Sequence, residues 1–116
     1  MRLAITCLLL SAGVAVADPA EITNVRASQH GDTWRFDVEI LHPDTGWDHY
    51  ADGWKVYAPD GTLLGERPLA HPHENEQPFT RTVSGIKVPD GVDHVMIHSN
   101  CSVDGETAKP YRVKLR

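Results

Sequence analysis

A histidine-rich segment carries the densest set of side chains that could bind a metal ion. His71 and His73 flank Pro72, and proline biases its neighbours toward the extended backbone in which a His-x-His pair can chelate one ion. Glu74 and Glu76 follow directly, and imidazole with carboxylate ligands suits zinc or copper(II). The pattern predicts a Cu or Zn site, and the alternative is that both imidazoles bond loop carbonyls and pack on an indole ring. Three side chains of an earlier segment could complete the ligand set: Asp48, His49 and Asp52.

A weaker metal candidate lies on a later extended segment. In the run His94-Val95-Met96-Ile97-His98, the even-numbered residues share one face, so Met96 has a histidine on each side. Imidazole and thioether donors together suit copper. The two histidines would be about 13 Å apart along a strand, so one imidazole with Met96 is feasible, whereas all three on one ion would be strained. The alternative is an outer face that binds nothing.

Cys101 is the sole cysteine after residue 17 and could indicate a thiol enzyme. It lies an odd number of residues from His98, so the two side chains project from opposite faces, and it shares its face with Val95 and Ile97. A free cysteine among aliphatic side chains usually behaves as a small apolar residue. The sequence also lacks nucleophile-elbow, P-loop, dinucleotide-binding and zinc-protease motifs. We therefore expect a protein that is not an enzyme.

A cluster of aromatic residues suggests a binding platform. Trp47 and Tyr50 could stack on a sugar or peptide, whereas Trp54 begins a strand and is assigned to the core. Trp47 is placed in a loop that covers a sheet edge. Around Phe79, the favoured interpretation is a structural one. Glu76 and Arg81 form an ion pair, and Phe79 is buried in the core and pins the loop to the sheet. The candidate ligand-binding residues of the two long loops are Trp47, Asp48, His49, Tyr50, Asp52, Glu76 and Arg81.

The N-terminal segment is typical of a Sec-type signal peptide. Arg2 precedes an apolar run over residues 3–10, and Ala15-Val16-Ala17 fits the small-x-small cleavage rule. The run is shorter than the roughly 20 residues of a membrane-spanning helix. We expect cleavage after Ala17, which leaves one domain of residues 18–116 that is periplasmic or secreted and has no membrane span.

Charge excludes two classes of partner. The chain carries 11 Lys and Arg against 16 Asp and Glu, and the expected loss of Arg2 with the leader deepens the net charge from −5 to −6. No basic run is present, so nucleic acid and anionic membrane surfaces are poor partners.

A period of two dominates the rest of the chain. Trp34, Phe36, Val38 and Ile40 alternate with charged residues, which is typical of a half-buried strand. Further strands are expected near 21–29, 54–58, 62–65, 79–88, 93–101 and 111–115. About seven short strands predict a single antiparallel β-sandwich of immunoglobulin-like type, with a small barrel as the alternative. The long connections at 42–53 and 66–78 carry most of the candidate site residues.

The loop motifs resemble those of a group of small secreted proteobacterial proteins to which no activity is assigned. They are GWDHYAD at 46–52, HPH at 71–73 and EQPFTR at 76–81. The group tends to carry an Asp and then a His shortly before a Gly, where this chain has Cys101 and Asp104. The resemblance implies a secreted origin and a shared fold, but no reaction.

These observations favour an exported, non-catalytic binding module whose ligand surface is the pair of long loops. Its partner would be an envelope protein or a small ligand. One alternative is a periplasmic Cu or Zn protein that uses His71 and His73 with His49 and Glu76. A second alternative is a structural accessory domain whose acidic surface keeps it soluble.

Overall fold

The computed structural model describes residues 19–116, and the predicted leader lies outside this range. Every regular element in the described range is a β-strand, and each pairing is antiparallel. The strands are β1 (Glu21–His30), β2 (Thr33–Leu41), β3 (Ala51–Tyr57), β4 (Leu63–Pro68), β5 (Phe79–Ile86), β6 (His94–Cys101), β7 (Gly105–Glu106) and β8 (Tyr111–Lys114). Within residues 19–116, no helix of membrane-spanning length and hydropathy is found.

The strands form two sheets that face each other across one core. One sheet has the order β1-β2-β5, and the other has the order β4-β3-β6-β7 with β8 paired to β6. The alternating side chains Trp34, Phe36, Val38 and Ile40 of β2 are all buried, as are Trp54, Val56, Val95 and Ile97 of the facing sheet. The predicted antiparallel sandwich is therefore confirmed, and the barrel alternative is not.

Turn chemistry explains the hairpin that starts the first sheet. Gly31 has a φ of 64°, a left-handed conformation that glycine adopts without a Cβ clash, and it connects β1 to β2 as predicted. Pairing from Glu21–Leu41 to His30–Thr33 then fixes which β2 side chains face the core.

Two loop boundaries differ from those predicted. β3 begins at Ala51, so Asp52 lies in a strand, and β4 extends to Pro68. Asp52 and Glu66 lie at strand positions that are open to solvent, where a sheet accepts polar side chains. These two segments therefore read as polar loops in the sequence. The connections that carry the candidate residues are consequently the first loop, residues 42–50, and the histidine loop, residues 69–78.

Candidate metal centre

Two strands from opposite sheets end beside each other and deliver a histidine and a cysteine to one place. His42 directly follows β2 and continues the buried, even-numbered face of that strand. Cys101 is the last residue of β6 and continues the face that carries Val95 and Ile97. Both side chains are fully buried, at 0% relative exposure. The period-two pattern of each strand therefore places a potential metal ligand at the end of the core.

A tight turn supplies the third side chain. The amide of His49 donates to the Gly46 carbonyl at 3.1 Å, and the Thr45 amide donates to the His49 carbonyl at 3.0 Å. Gly46 has a φ of 136°, which a residue with a side chain rarely adopts. The turn directs the His49 ring edge-on against the His42 ring, with centroids 4.9 Å apart.

The nitrogen and sulfur atoms of these three residues converge. One ligand atom each from His42, His49 and Cys101 lies within 4.8 Å of the other two. The carboxylate of Asp104 borders the group: the Cys101 Sγ–H donates to Asp104 Oδ2 at 3.7 Å, and His49 Nε2 lies 3.8 Å from the same oxygen. Within residues 19–116, His49 Nε2 is one of three buried side-chain polar atoms without a hydrogen-bond partner.

A buried carboxylate fixes the tautomer of His42. Asp44 Oδ1 accepts a hydrogen bond from His42 Nδ1 at 2.5 Å, and both side chains are 0% exposed. Because a carboxylate only accepts, this hydrogen bond places a proton on His42 Nδ1. Carboxylate–histidine pairs of this kind orient histidine ligands and increase their basicity in metalloproteins.

The donor set fits a transition metal of the zinc or copper type. Zn–N and Zn–S bonds of about 2.0–2.1 Å and 2.3 Å place tetrahedral donors roughly 3.3–3.8 Å apart. The two Asp104 distances already lie close to this range, and the other donors need a shift of about 1 Å to close on an ion. Imidazole, thiolate and carboxylate ligands together suit zinc or copper and do not suit the oxygen-seeking magnesium or calcium. His49 and Asp104 are partly exposed, so an ion could enter from their side.

The two histidines of the histidine loop lie outside the group formed by His42, His49 and Cys101. The ring of His73 is buried and stacked on Phe79, with centroids 4.0 Å apart, and its Nε2 accepts a hydrogen bond from Arg81 Nη2 at 3.0 Å. Burial, followed by the charges of Arg81 and His71, lowers the pKa of His73 below its usual value. His71 is exposed, and its Nδ1 donates to the Pro72 carbonyl at 2.9 Å. The rings of His71 and His73 lie against each other, but their nitrogens do not converge with a third ligand from residues 19–116.

The weaker candidates on β6 are also separate. His94 pairs with Asp93 at 2.6 Å, and His98 Nδ1 donates to the Thr107 carbonyl at 2.8 Å. Both side chains, with Met96, lie on the outer face of β6 as predicted, and Cys101 lies on the core face. Neither His94 nor His98 belongs to the ligand group found among the described residues.

The remaining candidates are spread over the surface around the site. Trp47 is 68% exposed and meets Tyr50 edge-on, whereas Asp48 is exposed beside it. Asp52 accepts a hydrogen bond from Asn100 at 2.5 Å. The predicted ion pair between Glu76 and Arg81 is confirmed at 3.1 Å. Of the predicted ligand set, only His49 reaches the buried group.

Sequence reasoning missed His42 as a ligand and treated Cys101 as a filler of the core. The alternation of buried and exposed side chains along each strand could have identified them. His42 and Cys101 both continue the buried face of their strand to its end. What the sequence could not supply is the side-by-side placement of those two ends, which depends on the packing of the sheets.

Comparisons with known proteins support the fold more than the site. No protein-family model matches the sequence. Over 78 residues, or 67% of its length, the chain is 38% identical to a protein of Halomicrobium mukohataei described as "Putative lipoprotein", and it spans 38% of that protein's length. The crystal structure of a hypothetical protein from Pyrococcus horikoshii OT3 superposes with a TM-score of 0.58 at 14% identity, over 84% of this chain and 90% of that chain. At this identity the likeness shows a shared β-fold alone.

Proposed function

We propose that this chain is an exported transition-metal-binding protein that holds one zinc or copper ion with His42, His49 and Cys101. The observation that carries the proposal is the convergence of three ligand atoms within 4.8 Å at the end of the core. Asp104, whose carboxylate borders Cys101 and His49, is the candidate for a fourth ligand, and the hydrogen bond from His42 Nδ1 to Asp44 orients the His42 ring. The leader pattern and the description of the Halomicrobium relative support export.

The charge balance of the site supports a divalent ion. A Cys101 thiolate and the Asp104 carboxylate would neutralise the two positive charges, whereas the imidazoles bind as neutral ligands. Burial of a charged thiolate without a counter-ion is costly, so an ion would stabilise the folded chain. The proposed role is binding or delivery of the ion, with no catalytic step assigned.

Calorimetry with Zn(II) tests the proposal on the full chain, expressed with its leader and purified without a tag. We expect one equivalent to bind with a Kd below about 1 µM, or roughly 8 kcal/mol. Cys101→Ser should weaken binding at least 100-fold, more than the loss of an outer-shell partner usually does. The matched control is His71→Ala, which removes an exposed histidine from the neighbouring loop and should leave the affinity unchanged. Loss of binding in the His71 variant, with binding retained in the Cys101 variant, would instead support a site on the histidine loop.

The second candidate function is a binding module for an envelope partner or a small ligand. It is favoured by Trp47, which is 68% exposed and supported edge-on by Tyr50 in the first loop. An exposed indole of this kind commonly anchors a protein or ligand contact. Cross-linking from position 47 in the intact envelope should recover a single partner, and a pattern identical to that from the exposed Leu63 would count against this role.

A further inference from the structure

The carboxylate of Asp44 is shared between the candidate metal ligand His42 and the histidine loop. Its Oδ1 accepts from His42 Nδ1 at 2.5 Å and from the Ala51 amide at 3.0 Å. Its Oδ2 accepts from the His73 amide at 2.7 Å and lies 4.0 Å from His73 Nδ1. The side chain is completely buried, so these protein groups, rather than solvent, hold the carboxylate in place.

The ring of His73 completes this arrangement on the far side of Asp44. Arg81 Nη2 donates to His73 Nε2 at 3.0 Å, and the proton of the neutral ring is therefore on Nδ1. That Nδ1 finds no hydrogen-bond partner in the described part of the chain and faces Asp44 Oδ2. Stacking on Phe79 at 4.0 Å, with planes 11° apart, holds the ring in this orientation. Arg81 is in turn paired with Glu76 at 3.1 Å.

The amide of Gln77 joins the same two segments a second time. Its Oε1 accepts from the backbone amide of His42 at 2.9 Å, and its Nε2 donates to the carbonyl of His73 at 2.8 Å. The histidine loop is thus fastened to both the backbone and the side chain of His42, through Gln77 and Asp44 respectively.

We infer that His73 is a positioning residue for the metal site, and that the histidine loop acts as its outer shell rather than as a source of ligands. His73, held by Arg81 and Phe79, orients the Asp44 carboxylate through its backbone amide at 2.7 Å and through the Nδ1 that faces the same oxygen at 4.0 Å, and Asp44 in turn orients the ring of His42. This inference rests on the proposed metal-binding function. In this proposal, His73 of the HPH motif affects how tightly the ion binds and the ligand field at the ion.

Cobalt(II) binding to the full chain provides the test, because its absorption reports both affinity and ligand geometry. His73→Phe preserves the stacked ring and removes both nitrogens. We expect it to weaken Co(II) binding about tenfold, within the range seen for outer-shell partners of histidine ligands, and to shift the d–d bands. His73→Asn, whose amide N–H can occupy the place of Nδ1, should recover most of the affinity. The matched control is His71→Phe, which should bind as the wild type does.

His73 is buried, so a substitution there could impair folding. Two further measurements test the inference in that case. Arg81→Met alters a partly exposed side chain and should weaken binding in the same direction, with a shifted spectrum. In the metal-free protein, the His42 Nδ1 proton in its 2.5 Å hydrogen bond should give a far-downfield NMR signal, and this signal should move in both variants. If wild type binds Co(II) and the variants match it in Kd, bands and proton signal, His73 has no positioning role. If wild type binds no metal, the proposed function fails, and the proton signal alone decides whether His73 positions Asp44.

Discussion

His42 and Cys101 come from opposite sheets of the sandwich and meet at one end of its core, where both side chains are fully buried. Each residue continues the inward-facing pattern of an otherwise apolar strand. A polar group in such a place is stable only when it has a partner. The Asp44 carboxylate gives His42 one partner, and a bound ion would give both residues another.

The first prediction concerns the buried carboxylate. Asp44→Asn keeps the shape of the side chain but replaces one acceptor oxygen with a donor, which would face either His42 Nδ1–H or the His73 amide. We expect a loss of about 1.5–3 kcal/mol in the free energy of unfolding, the usual worth of a hydrogen bond to a charged group. Urea denaturation of the metal-free protein measures it. Asp48→Asn, in the exposed part of the same loop, should change stability by less than about 0.5 kcal/mol, and equal effects of the two substitutions would contradict the assignment.

The second prediction is the pH dependence of stability. Burial, followed by the charges of Arg81 and His71, lowers the pKa of folded His73, whereas in the unfolded chain it is near 6.5. Below that value the unfolded state binds the extra proton, so stability should fall as pH drops from roughly 6.5 toward 5. The pKa values of Asp37, Glu76 and Asp93 are also lowered in the folded protein, but these carboxyls affect stability only below roughly pH 4.5.

Urea midpoints of the metal-free protein between pH 5 and 8 test this dependence. The decline should be shallower in His73→Phe. In His71→Phe it should change only slightly, because burial, the largest cause of the lowered His73 pKa, stays and only the smaller contribution of the His71 charge is lost. A decline as steep in the His73 variant as in wild type would show that another group causes it.

The third prediction concerns the outer face of the first sheet, away from the metal site. Thr82 Oγ1 donates to Asp37 Oδ1 at 2.5 Å, and this bond is the largest cause of the lowered pKa of Asp37, with Arg35 also contributing against the effect of burial. Thr82→Val should raise the pKa of Asp37 and lower the free energy of unfolding by about 1 kcal/mol. This difference in stability between variant and wild type should be present above roughly pH 4 and disappear as pH falls through the lowered pKa of Asp37. NMR titration of the Asp37 carboxyl measures the shift, and Thr80→Val on the same face of β5 is the control that should leave it unchanged.

The fourth prediction tests how the sheets pack. A Cβ at Gly65 in β4 would overlap Cδ1 of Ile86 in β5, closer than two carbons can approach. Gly65→Ala should therefore cost about 1–3 kcal/mol by overpacking. Ile86→Val removes the clashing methyl at a cost of about 0.5–1.5 kcal/mol, so the double variant should lose less stability than the sum of the two. Simple additivity in a double-mutant cycle would mean that the two residues do not touch.

The strands were largely predictable because their periodicity is local. Trp34 to Ile40 and Val95 to Ile97 alternate cleanly, and the structure buries the apolar side chains of both runs. Leu64, Tyr111 and Leu115 also belong to predicted strands, but they are only partly buried at the margin of the core. They lie on or beside the edge strands β4 and β8, where one flank of the sheet has no neighbour to cover them.

The site was less predictable because it is assembled from segments far apart in the chain. The histidine loop attracts attention by its composition, yet His73 turns inward toward Asp44 and Arg81. His42 and Cys101 are 59 positions apart and have no local motif to connect them. Their meeting follows from the pairing of β3 with β6, in which Ala51 lies opposite Cys101, and from the hydrogen bond that ties the Ala51 amide to Asp44.

X-ray absorption of the zinc-loaded full chain tests the central claim most directly. The account predicts one sulfur scatterer at about 2.3 Å and two imidazoles at about 2.0–2.1 Å, with the sulfur absent in Cys101→Ser. A spectrum with nitrogen and oxygen neighbours alone, unchanged by the Cys101 substitution, would contradict a metal centre built on His42, His49 and Cys101.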